Sequence, residues 1–472
     1  MKKILLVFIC LIYALCFFAQ DIKFNKVFER NYPVVRNIIA TEAGYIVVGG
    51  DYNEYWKIDI LIVGFDQNGE LLWEKTYGDT IYHYYHGTRN SLIENSDGGY
   101  SLSGGRTGND NITGMLTKFD QNFDTLWTKL YFDNPDFTTF YNHIQTSDGG
   151  YALVGCTAES DADGDVLLVK TDSDGNMLWY KKYGTSGSDM GLCIVETPDN
   201  GFLIGGSCGL GQIDGYLVKT DSDGNQQWTR HYGNSLYPDG TIYTVLKTLQ
   251  NEYLVPLSGY VTDPISEDFY NRKYNLIKLD ADFNEVWNKQ YGIRAEYTGL
   301  GTITLSNDGS IWATIKDDHN VGLFHLSSEG DSISKHYYVP QGSIGENALL
   351  AIKQTPDNGF IMAGVAYEPQ VMWLVKTDSC GCVVEDCECG GSDVETFWVN
   401  NEIEVYPNPA SGWVTVTAPV EDVLELYGST GSLVLKTNVS NGENRIALTG
   451  LQPGMYLARL KNTGMAAKLV VQ

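Results

Sequence analysis

Short runs in which apolar and polar residues alternate cover most of the chain. The apolar residues recur at about every second position, as in YALVG (151–155), DVLLVKTD (165–172) and MLWYKKYG (177–184). Alternation with a period of two, bounded by clusters of Gly and Asp, predicts β-strands. The pattern therefore predicts an all-β fold.

A turn followed by an aromatic or other apolar residue recurs at steps of 49 to 58 residues, ending at Tyr45, Tyr100, Tyr151, Phe202, Tyr253, Ile311 and Phe360. A second signature, a turn opened by Asp and followed by Trp, lies near the end of the first five units, at Trp73, Trp127, Trp179, Trp228 and Trp287. Four strands fit each unit. Seven four-stranded units of this length predict a seven-bladed β-propeller.

The two ends of this repeat array predict how the ring closes. The seventh unit lacks the Trp-bearing strand and has SCGCVVEDCECGG in its place. Near the N-terminus, Phe24 and Phe28 keep the four-residue spacing of Trp179 and Tyr183. We therefore expect the N-terminal segment to supply the outer strand of the last blade, which removes exposed sheet edges.

Two nearly identical stretches, VKTDSDGNMLWYKKYG (169–184) and VKTDSDGNQQWTRHYG (218–233), raise the choice between scaffold and chemistry. Residues 172–175 read as a tight turn between the third and fourth strands. A calcium site is the alternative, because Asp172 and Asp174 are close in sequence. Asp120 and Asp280 open equivalent turns in which Phe replaces Gly and the acidic pair is missing. The turn is the favoured interpretation, with Trp179 and Tyr183 packing between blades.

The chain divides into four segments. Residues 1–20 have Lys2 and Lys3 followed by an apolar run, which predicts a secretory signal peptide. Residues 21–389 form the predicted propeller and residues 390–401 a linker. Residues 402–472 alternate short strands with Gly and Pro turns, which predicts a small Ig-like β-sandwich. No later stretch reaches the roughly 20 apolar residues of a membrane-spanning helix.

The last segment carries a set of motifs in a fixed order: YPNP (Tyr406, Pro407, Asn408, Pro409), LYGSTG, GMYLARL with Gly454 and Tyr456, and the terminal KLVVQ from Lys468. It closely resembles the C-terminal sorting domain of type IX secretion substrates in Bacteroidetes. The resemblance implies the type IX secretion machinery as a partner and export through the periplasm. It also implies release or attachment at the outer-membrane surface, the one way in which a membrane is involved.

The net charge of the chain excludes one class of binding partner. The chain has 59 acidic and 32 basic residues and a formal net charge of -27. Phosphates would be repelled, so nucleic acid is excluded as a partner. Bound cations would be tolerated.

The predicted strand order places the connections on two faces. The short turns between the first and second and between the third and fourth strands share the turn face. The variable connections at 51–59, 79–87, 157–165 and 263–274 share the opposite side, the loop face, and binding usually resides on such loops. Its aromatic residues could stack on sugars, contact a protein, or anchor the loops; the candidate ligand-binding residues are Tyr55, Trp56, Tyr82, Tyr84, Tyr85 and Tyr270.

Metal ligands on the loop face are few. Asp161, Asp163 and Asp165 are the best calcium candidate, although the distal Glu of an EF-hand is missing. His83 and His86 have a spacing that suits a shared metal, but no third ligand is near in sequence, which favours solvated histidines. The sequence establishes no cofactor, and calcium is the leading candidate.

Nine cysteines are present, and Cys10 and Cys16 fall in the predicted signal peptide. Seven remain, so at least one is free or pairs between chains. Cys380, Cys382, Cys387 and Cys389 could hold zinc, but disulfides are favoured in an exported chain, with Cys380 or Cys382 paired to Cys387 or Cys389. Cys156, Cys193 and Cys208 cannot be paired from spacing.

The sequence contains no nucleophile elbow, HExxH motif or phosphate-binding glycine loop, so no catalytic residue is nominated. The leading hypothesis is a non-catalytic binding module for glycan or protein on the loop face. The alternative is a secreted polysaccharide lyase or hydrolase with acidic side chains lining the central channel. A purely structural surface protein is the third possibility, favoured by a flat and sealed loop face.

Overall fold

The structure of the protein, a computed structural model, describes residues 22–30, 35–107, 112–132, 137–158, 164–209, 213–232, 240–260, 272–295, 298–317, 320–340, 343, 347–367, 370–384, 403, 405–418, 421–428, 433–461 and 466–472. Within these residues every regular element is a strand, and no helix has the length and apolarity that a membrane crossing requires. The predicted signal peptide and linker lie outside the described residues. The all-β prediction is confirmed.

The first strands form three sheets in chain order. The strand β1 (Phe24–Glu29) comes first and belongs to a later sheet. Sheet 1 contains β2 (Asn37–Thr41), β3 (Gly44–Tyr52), β4 (Ile58–Asp66) and β5 (Leu71–Tyr77). Sheet 2 contains β6 (His83–His86), β7 (Leu92–Glu94), β8 (Tyr100–Thr107), β9 (Ile112–Phe119) and β10 (Thr125–Tyr131). Sheet 3 contains β11 (Phe137–Gln145), β12 (Tyr151–Ala158), β13 (Asp165–Thr171) and β14 (Met177–Tyr183).

Four further sheets follow. Sheet 4 contains β15 (Met190–Glu196), β16 (Phe202–Gly209), β17 (Ile213–Thr220) and β18 (Gln226–Tyr232). Sheet 5 contains β19 (Leu246–Lys247), β20 (Tyr253–Tyr260), β21 (Arg272–Leu279) and β22 (Glu285–Ala295). Sheet 6 contains β23 (Thr298–Leu305), β24 (Ile311–Asp317), β25 (Asn320–Leu326) and β26 (Ser332–Tyr338). Sheet 7 contains β27 (Ala348–Gln354), β28 (Phe360–Ala366), β29 (Val371–Thr377) and the N-terminal β1.

Each strand pairs antiparallel with its neighbour in the chain, with two exceptions. In sheet 2 both β6 and β7 pair with β8, so the first strand is interrupted. In sheet 7 the outer strand is β1, which pairs with β29 in the register Phe24↔Lys376. The expectation that the N-terminal segment supplies this outer strand is confirmed.

Successive sheets pack face to face, and the seventh packs on the first. The contacts run from β4 to β6, from β8 to β11, from β12 to β15, from β20 to β23 and from β24 to β27. Cys193 of sheet 4 shares an apolar cluster with Ile242 and Tyr253, which leads into sheet 5. The return contact joins β27 to β2. This repeated stacking of four-stranded sheets is the arrangement of propeller-like folds.

Repeated residues make the same contacts in different sheets, which identifies them as scaffold. The buried Lys170, Lys219 and Lys376 of the third strands each reach a carboxylate in the first turn of their own sheet at 2.8 Å. The partners are Asp148, Asp199 and Asp357. A buried lysine needs such a partner, because an unpaired charge in the interior is strongly destabilising. The recurrence of lysine in VKTD follows from this pairing.

In sheets 2 and 3 the tryptophan and tyrosine of the outer strand contact the next sheet. The phenolic hydroxyl of Tyr183 donates to Gly224 O at 2.6 Å, and the hydroxyl of Tyr131 donates to Gly175 O at 2.7 Å. A Cβ added to Gly224 would lie 2.5 Å from the Trp179 ring. These contacts confirm that Trp179 and Tyr183 pack between sheets. Closure uses the same geometry, since Phe24 covers Gly69 and the ring of Phe28 lies 4.8 Å from that of Phe65 in sheet 1.

The C-terminal strands form a separate hydrogen-bonded set around their own core. They are β30 (Val405–Ser411), β31 (Trp413–Ala418), β32 (Asp422–Gly428), β33 (Leu433–Val439), β34 (Gly442–Ala447), β35 (Gly454–Leu460) and β36 (Ala466–Val471). Their order is β33-β32-β35-β36-β30-β31-β34. The two ends of this order bury side chains in one cluster, with Val414 and Ile446 from one end and Leu424 and Leu460 from the other.

Candidate functional site

The middle of the sheet array is crossed by residues 87–91, the central segment, which interrupts the first strand of sheet 2. Thr88 N donates to Tyr141 O of sheet 3 at 2.7 Å, and its hydroxyl donates to Leu192 O of sheet 4 at 3.3 Å. A Cβ on Gly87 would lie 2.3 Å from Tyr141 O, so the close approach to sheet 3 requires glycine here. The central segment therefore ties the sheets together across the axis.

Arg89 extends this crossing to the far side of the ring. Its Nη1 donates to Gly301 O of sheet 6 at 2.6 Å, and its guanidinium lies 4.6 Å from the centre of the Tyr243 ring. Burial lowers the pKa of Arg89 to about 10, and the positive charge of Arg36 acts in the same direction. Arg89 is therefore a cation at neutral pH, and it is held without a carboxylate among the described residues.

A cavity of about 340 Å³ opens at the loop-face end of the first three sheets. Its lining combines β6 and the first half of β11 with the ends of β3 and β4 that flank their connection. The lining residues are Arg36, Gly50, Ile58, Tyr84, Tyr85, His86, Gly87, Ile112, Phe137, Thr139 and Tyr141. No carboxylate is among these described lining residues, although the chain as a whole is strongly acidic.

Arg36 is the charged group of this cavity. Its side chain is exposed, and no described residue pairs with it through a hydrogen bond or an ion pair. Other cations of the sheets have such partners; for example, Arg30 pairs with Glu74 at 2.7 Å and Lys75 with Asp124 at 2.6 Å. The guanidinium of Arg36 is therefore available to an anionic ligand.

Two further polar groups line the cavity. The Tyr141 hydroxyl meets only sulfur atoms among the described residues, the Met190 Sδ at 3.9 Å and the Cys156 Sγ at 3.6 Å. Burial raises the pKa of Tyr141, so its hydroxyl is a neutral hydrogen-bond donor. His86 Nδ1 donates to Gly87 O at 2.8 Å, which fixes the proton on that nitrogen when the ring is neutral.

The connection between β3 and β4 carries an exposed aromatic side chain two positions before Ile58, which lines the cavity. Trp56 has a φ of 58° and is 78% exposed. Asn53 holds the loop, because its Oδ1 accepts from Tyr55 N at 2.9 Å and from Lys57 N at 3.0 Å. Positive φ is unfavourable for a bulky residue by about 1–2 kcal/mol. The loop therefore places a mostly exposed indole in a strained backbone position, with the Tyr52 ring 6.2 Å away.

The other predicted aromatic residues are placed differently. Tyr55 is 54% exposed in the same loop. Tyr85 is partly exposed, lines the cavity and stacks on His83. The hydroxyl of Tyr84 donates to Asp79 Oδ2 at 2.8 Å, and the Tyr82 ring lies 4.3 Å from the Arg106 guanidinium. Tyr270 lies outside the described residues.

Among the described residues, the predicted metal ligands are not grouped into a site. His83 Nδ1 accepts from Ile58 N at 3.1 Å, so this nitrogen is occupied. Within the described residues no three His, Cys, Asp or Glu side chains are grouped to hold a metal. The DSDG stretch forms a turn in which Asp172 Oδ1 accepts from Asp174 N at 3.0 Å and from Asn176 N at 2.8 Å.

The acidic loop of sheet 3 is described only at its end. Asp161 and Asp163 lie outside the described residues, whereas Asp165 begins β13. Its carboxylate approaches Gly184 next to that of Asp189. Burial raises the pKa of Asp189, and the charge of Asp165 adds to this. Asp59 takes the equivalent place beside Gly78 in sheet 1, which marks a repeated position of the fold.

The cysteines divide into two groups. Cys156, Cys193 and Cys208 are free and buried, which agrees with the expectation of at least one free thiol. Cys380 and Cys382 both have partners, while Cys387 and Cys389 lie outside the described residues. The pairing among these four remains a prediction.

The motifs of the tail contact one another. Asn408 Nδ2 donates to Lys468 O at 2.6 Å, and Asn408 Oδ1 accepts from Val470 N at 2.9 Å. The peptides before Pro407 and Pro409 are both cis. The Tyr456 hydroxyl donates to Gln452 O at 2.7 Å in the turn before β35, which begins at Gly454. YPNP and the terminal strand therefore form one hydrogen-bonded unit.

Residues 404–472 match the family described as the secretion system C-terminal sorting domain. The chain carries a sorting domain. This confirms the resemblance seen in the tail motifs, and a type IX system of the Bacteroidetes kind fits it. The sorting domain implies export, with the protein at the cell surface or secreted, and an interaction with the secretion machinery. No curated protein matches the chain.

Several solved structures are similar to the sheet array at low sequence identity. One is a polysaccharide lyase, a PL25 ulvan lyase bound to -[GlcA(1-4)Rha3S]-, with 12% identity, coverage of 75% of this chain and 96% of that chain, and a TM-score of 0.49. Another is streptogramin B lyase, with 12% identity, coverage of 75% and 98%, and a TM-score of 0.45. A third, a protein of unknown function from Bacteroides caccae, has 12% identity, coverage of 62% and 93%, and a TM-score of 0.39. Function therefore has to be argued from this chain's own side chains.

The arginines and Tyr141 were missed by sequence reasoning. Arg89 and Gly301 are 212 positions apart in the chain and meet only because the sheets curve around an axis. Arg36 lies immediately before β2, and its sequence neighbours do not show whether it has an acidic partner. Only the tertiary structure shows that its guanidinium lines a cavity. Trp56 and Tyr85 were nominated from the sequence and lie at the cavity or in its adjoining loop.

Proposed function

We propose that the protein is an exported seven-bladed β-propeller that binds a glycan through its loop face without catalysis. Seven sheets among the described residues, packed in order and closed by β1, support the blade count. The common core of the tail strands supports a small Ig-like sandwich there. The proposed domains are residues 21–389 for the propeller, 390–401 for the linker and 402–472 for the sorting domain, after a signal peptide at 1–20.

The observation that carries the binding function is the exposed Trp56, held at positive φ two positions before Ile58 of the cavity lining. A loop that was only a connection would gain about 1 kcal/mol by placing Gly at this position. An indole face in solvent is suited to stacking on a pyranose ring, whose C–H face is apolar. The cavity next to it makes the loop face concave, which favours binding over the purely structural alternative.

Glycan arrays test the proposed function directly. The full-length protein, Trp56→Ala and Trp56→Gly are applied with calcium and again with chelator. We expect the protein to bind a defined set of glycans. Both variants should lose about tenfold or more in affinity, because they lack the ring that stacks on the sugar, and a stacking contact with an aromatic side chain contributes ~1–3 kcal/mol. Trp56→Gly removes the ring while relieving the backbone, so reduced binding by this variant cannot be assigned to unfolding.

Three outcomes of this experiment have separate meanings. Unchanged binding by both variants would reject the loop face as the glycan site. Absence of glycan binding, together with capture of a defined protein ligand that depends on Trp56, would replace the glycan by a protein ligand on the same face. A requirement for calcium would support a calcium site at Asp161, Asp163 and Asp165.

A secreted lyase or hydrolase is the second candidate, because Arg36, His86 and Tyr141 line one cavity. Proton transfer to and from a sugar needs a positioned acid and base. Burial raises the pKa of Tyr141, so the phenolate that would act as the base is not formed at neutral pH, and no carboxylate is among the described lining residues. Incubation with acidic and neutral polysaccharides, followed by sizing of the products, tests it. Chain cleavage that His86→Ala abolishes would establish catalysis.

Delivery is proposed to use the type IX machinery through Asn408 and the terminal strand, with release or attachment at the outer-membrane surface. Removal of residues 404–472 is expected to keep the protein in the periplasm, as measured by cell fractionation. The cysteine segment is proposed to be closed by disulfides between Cys380 or Cys382 and Cys387 or Cys389. Mass spectrometry of non-reduced peptides tests this pairing.

A further inference from the structure

The loop-face cavity differs in charge from the rest of the molecule. The chain has a formal net charge of -27, yet the described residues that line the cavity include Arg36 and no carboxylate. Arg36 lines it, and Arg89 follows Gly87 of the lining by two positions. The acidic surroundings make a local positive site more selective, because they repel anions from the remaining surface.

The two guanidinium groups are close enough to affect each other. The charge of Arg36 lowers the pKa of Arg89, and the same charge lowers the pKa of Tyr141 against the larger effect of burial. Two like charges held together without a counter-charge are unfavourable in a partly buried setting. Arg36 lines the cavity with an exposed guanidinium that no described residue pairs with, so an anion that enters the cavity would find a partner there.

The uncharged groups restrict the kind of anion. The Tyr141 hydroxyl is a neutral donor whose partners among the described residues are sulfur atoms, so a ligand oxygen would be a better partner. Ile58, Ile112 and Phe137 give the cavity apolar walls, and Trp56 extends from the same connection as Ile58. A volume of about 340 Å³ lies at the lower end of small-molecule pockets, which suits a sugar residue better than a folded protein surface.

We propose that the cavity binds a carboxylate-bearing sugar residue of an acidic polysaccharide, with Arg36 pairing to the carboxylate and Trp56 stacking on a neighbouring ring. The proposal rests on the glycan-binding function and adds the chemical class of the ligand. A planar guanidinium matches a carboxylate with two parallel hydrogen bonds, which a phenol or an amide cannot provide. Arg89, two positions after Gly87 of the lining, stays bonded through its Nη1 to Gly301 O and is not required to contact the ligand.

Calorimetric titration of the full-length protein with short oligouronates tests the proposal. The probes are oligomers of galacturonate, glucuronate and mannuronate, together with the methyl ester of each, which keeps the sugar ring but removes the charge. At least one acid form is expected to bind about tenfold or more tightly than its ester, and this preference is expected to shrink as salt is raised.

Variants assign the charge to Arg36. Arg36→Gln is expected to weaken binding of the acid form about 10- to 100-fold and to leave the ester unchanged. Arg36→Lys keeps the charge but loses the planar fork, so an intermediate loss is expected. Arg30→Gln is the matched control, since Arg30 pairs with Glu74 in the outer strands and the same charge is removed there. Melting temperatures of all variants show whether the fold is retained.

Each contrary outcome has one meaning. Equal binding of acids and esters, with Arg36→Gln without effect and Trp56→Ala weakened, would overturn the acidic ligand and leave glycan binding intact. Tighter, Arg36-dependent binding of poly-glutamate would assign the site to an acidic protein instead. Failure of all three uronates to bind would overturn the proposal of an acidic ligand. If the glycan array then showed binding of neutral sugars, the proposed glycan-binding function would survive. If the array showed no binding, both the acidic ligand and the glycan-binding function would be rejected.

Discussion

The same backbone turn occurs on both faces of the sheet array, with opposite consequences for its central side chain. On the turn face, Asp120 Oδ1 accepts from Asn122 N and Asp124 N, both at 2.8 Å, and Phe123 has a φ of 61°. On the loop face, Asn53 holds Tyr55 and Lys57 in the same pattern, and Trp56 has a φ of 58°. Gly175 takes this position in the turn opened by Asp172.

The two aromatic residues differ in what surrounds them. Phe123 is 2% exposed and stacks on Tyr100 with ring centres 4.2 Å apart and on Trp73 at 5.2 Å. The exposed ring of Trp56 has Tyr52 at 6.2 Å. At Phe123 the burial of an aromatic ring offsets the cost of positive φ, so the strain belongs to the scaffold. At Trp56 little burial offsets the same cost, a difference that the proposed role in binding would explain.

Replacing Phe123 and Trp56 by alanine should give the largest difference in stability between the turn face and the loop face. Phe123→Ala removes a buried ring between two sheets, and its free energy of unfolding should fall by about 3–5 kcal/mol. Trp56→Ala should change it by less than about 0.5 kcal/mol, because the indole is in solvent. Urea denaturation followed by circular dichroism measures both. Similar losses in the two variants would show that Trp56 is structural.

The free energy of unfolding should fall as the pH is lowered, because His143 is buried near the turn face. Its ring is buried, its Nε2 lies 2.8 Å from Ser101 Oγ, and burial lowers its pKa to about 3. Below pH ~6.5 the unfolded chain takes up a proton that the folded protein does not, so stability present above that pH is lost as pH falls toward 3. Between pH 7.5 and 5.0 this amounts to about 2 kcal/mol.

His143→Gln provides the control for this pH dependence. The variant has no group that titrates at this position, so its free energy of unfolding should fall less between pH 7.5 and 5.0 than that of the unchanged protein. Parallel pH dependences in denaturant titrations would contradict the assignment to His143.

A single hydroxyl tests the contact between sheets. Tyr183→Phe removes the bond to Gly224 O and should cost about 1 kcal/mol of unfolding free energy. Tyr180→Phe is the matched control, because Tyr180 lies on the same strand, is exposed, and its ring contact with Phe132 does not need the hydroxyl. Equal thermal midpoints for the two variants would mean that the hydroxyl of Tyr183 contributes nothing.

The smallest expected effect is a gain. Trp56→Gly relieves the positive φ and should leave the free energy of unfolding unchanged or raise it by up to about 1 kcal/mol. Phe123→Gly relieves the same φ but loses the buried ring, so it should be less stable than the unchanged protein. A clear loss of stability in Trp56→Gly would mean that the indole packs against the protein, and the comparison between the faces would fail.

The candidate site was only partly predictable from the sequence. Variable loops rich in aromatic residues pointed to the loop face and to Trp56 and Tyr85. Tyr82 and Tyr84 carry the same signal, yet their contacts with Arg106 and Asp79 hold them within sheet 2. Residue type alone does not distinguish a ring that is presented to solvent from one that anchors its own loop.

The sequence by itself determined the strands, the repeat, the closing segment and the sorting domain, because each depends on residues close together in the chain or on a period that repeats along it. The tertiary structure decided that the central segment crosses the axis and that Arg36, Tyr141 and Arg89 gather at one end of it. Contacts between residues such as Arg89 and Gly301 leave no periodic trace, since they arise only when successive sheets curve around a common axis.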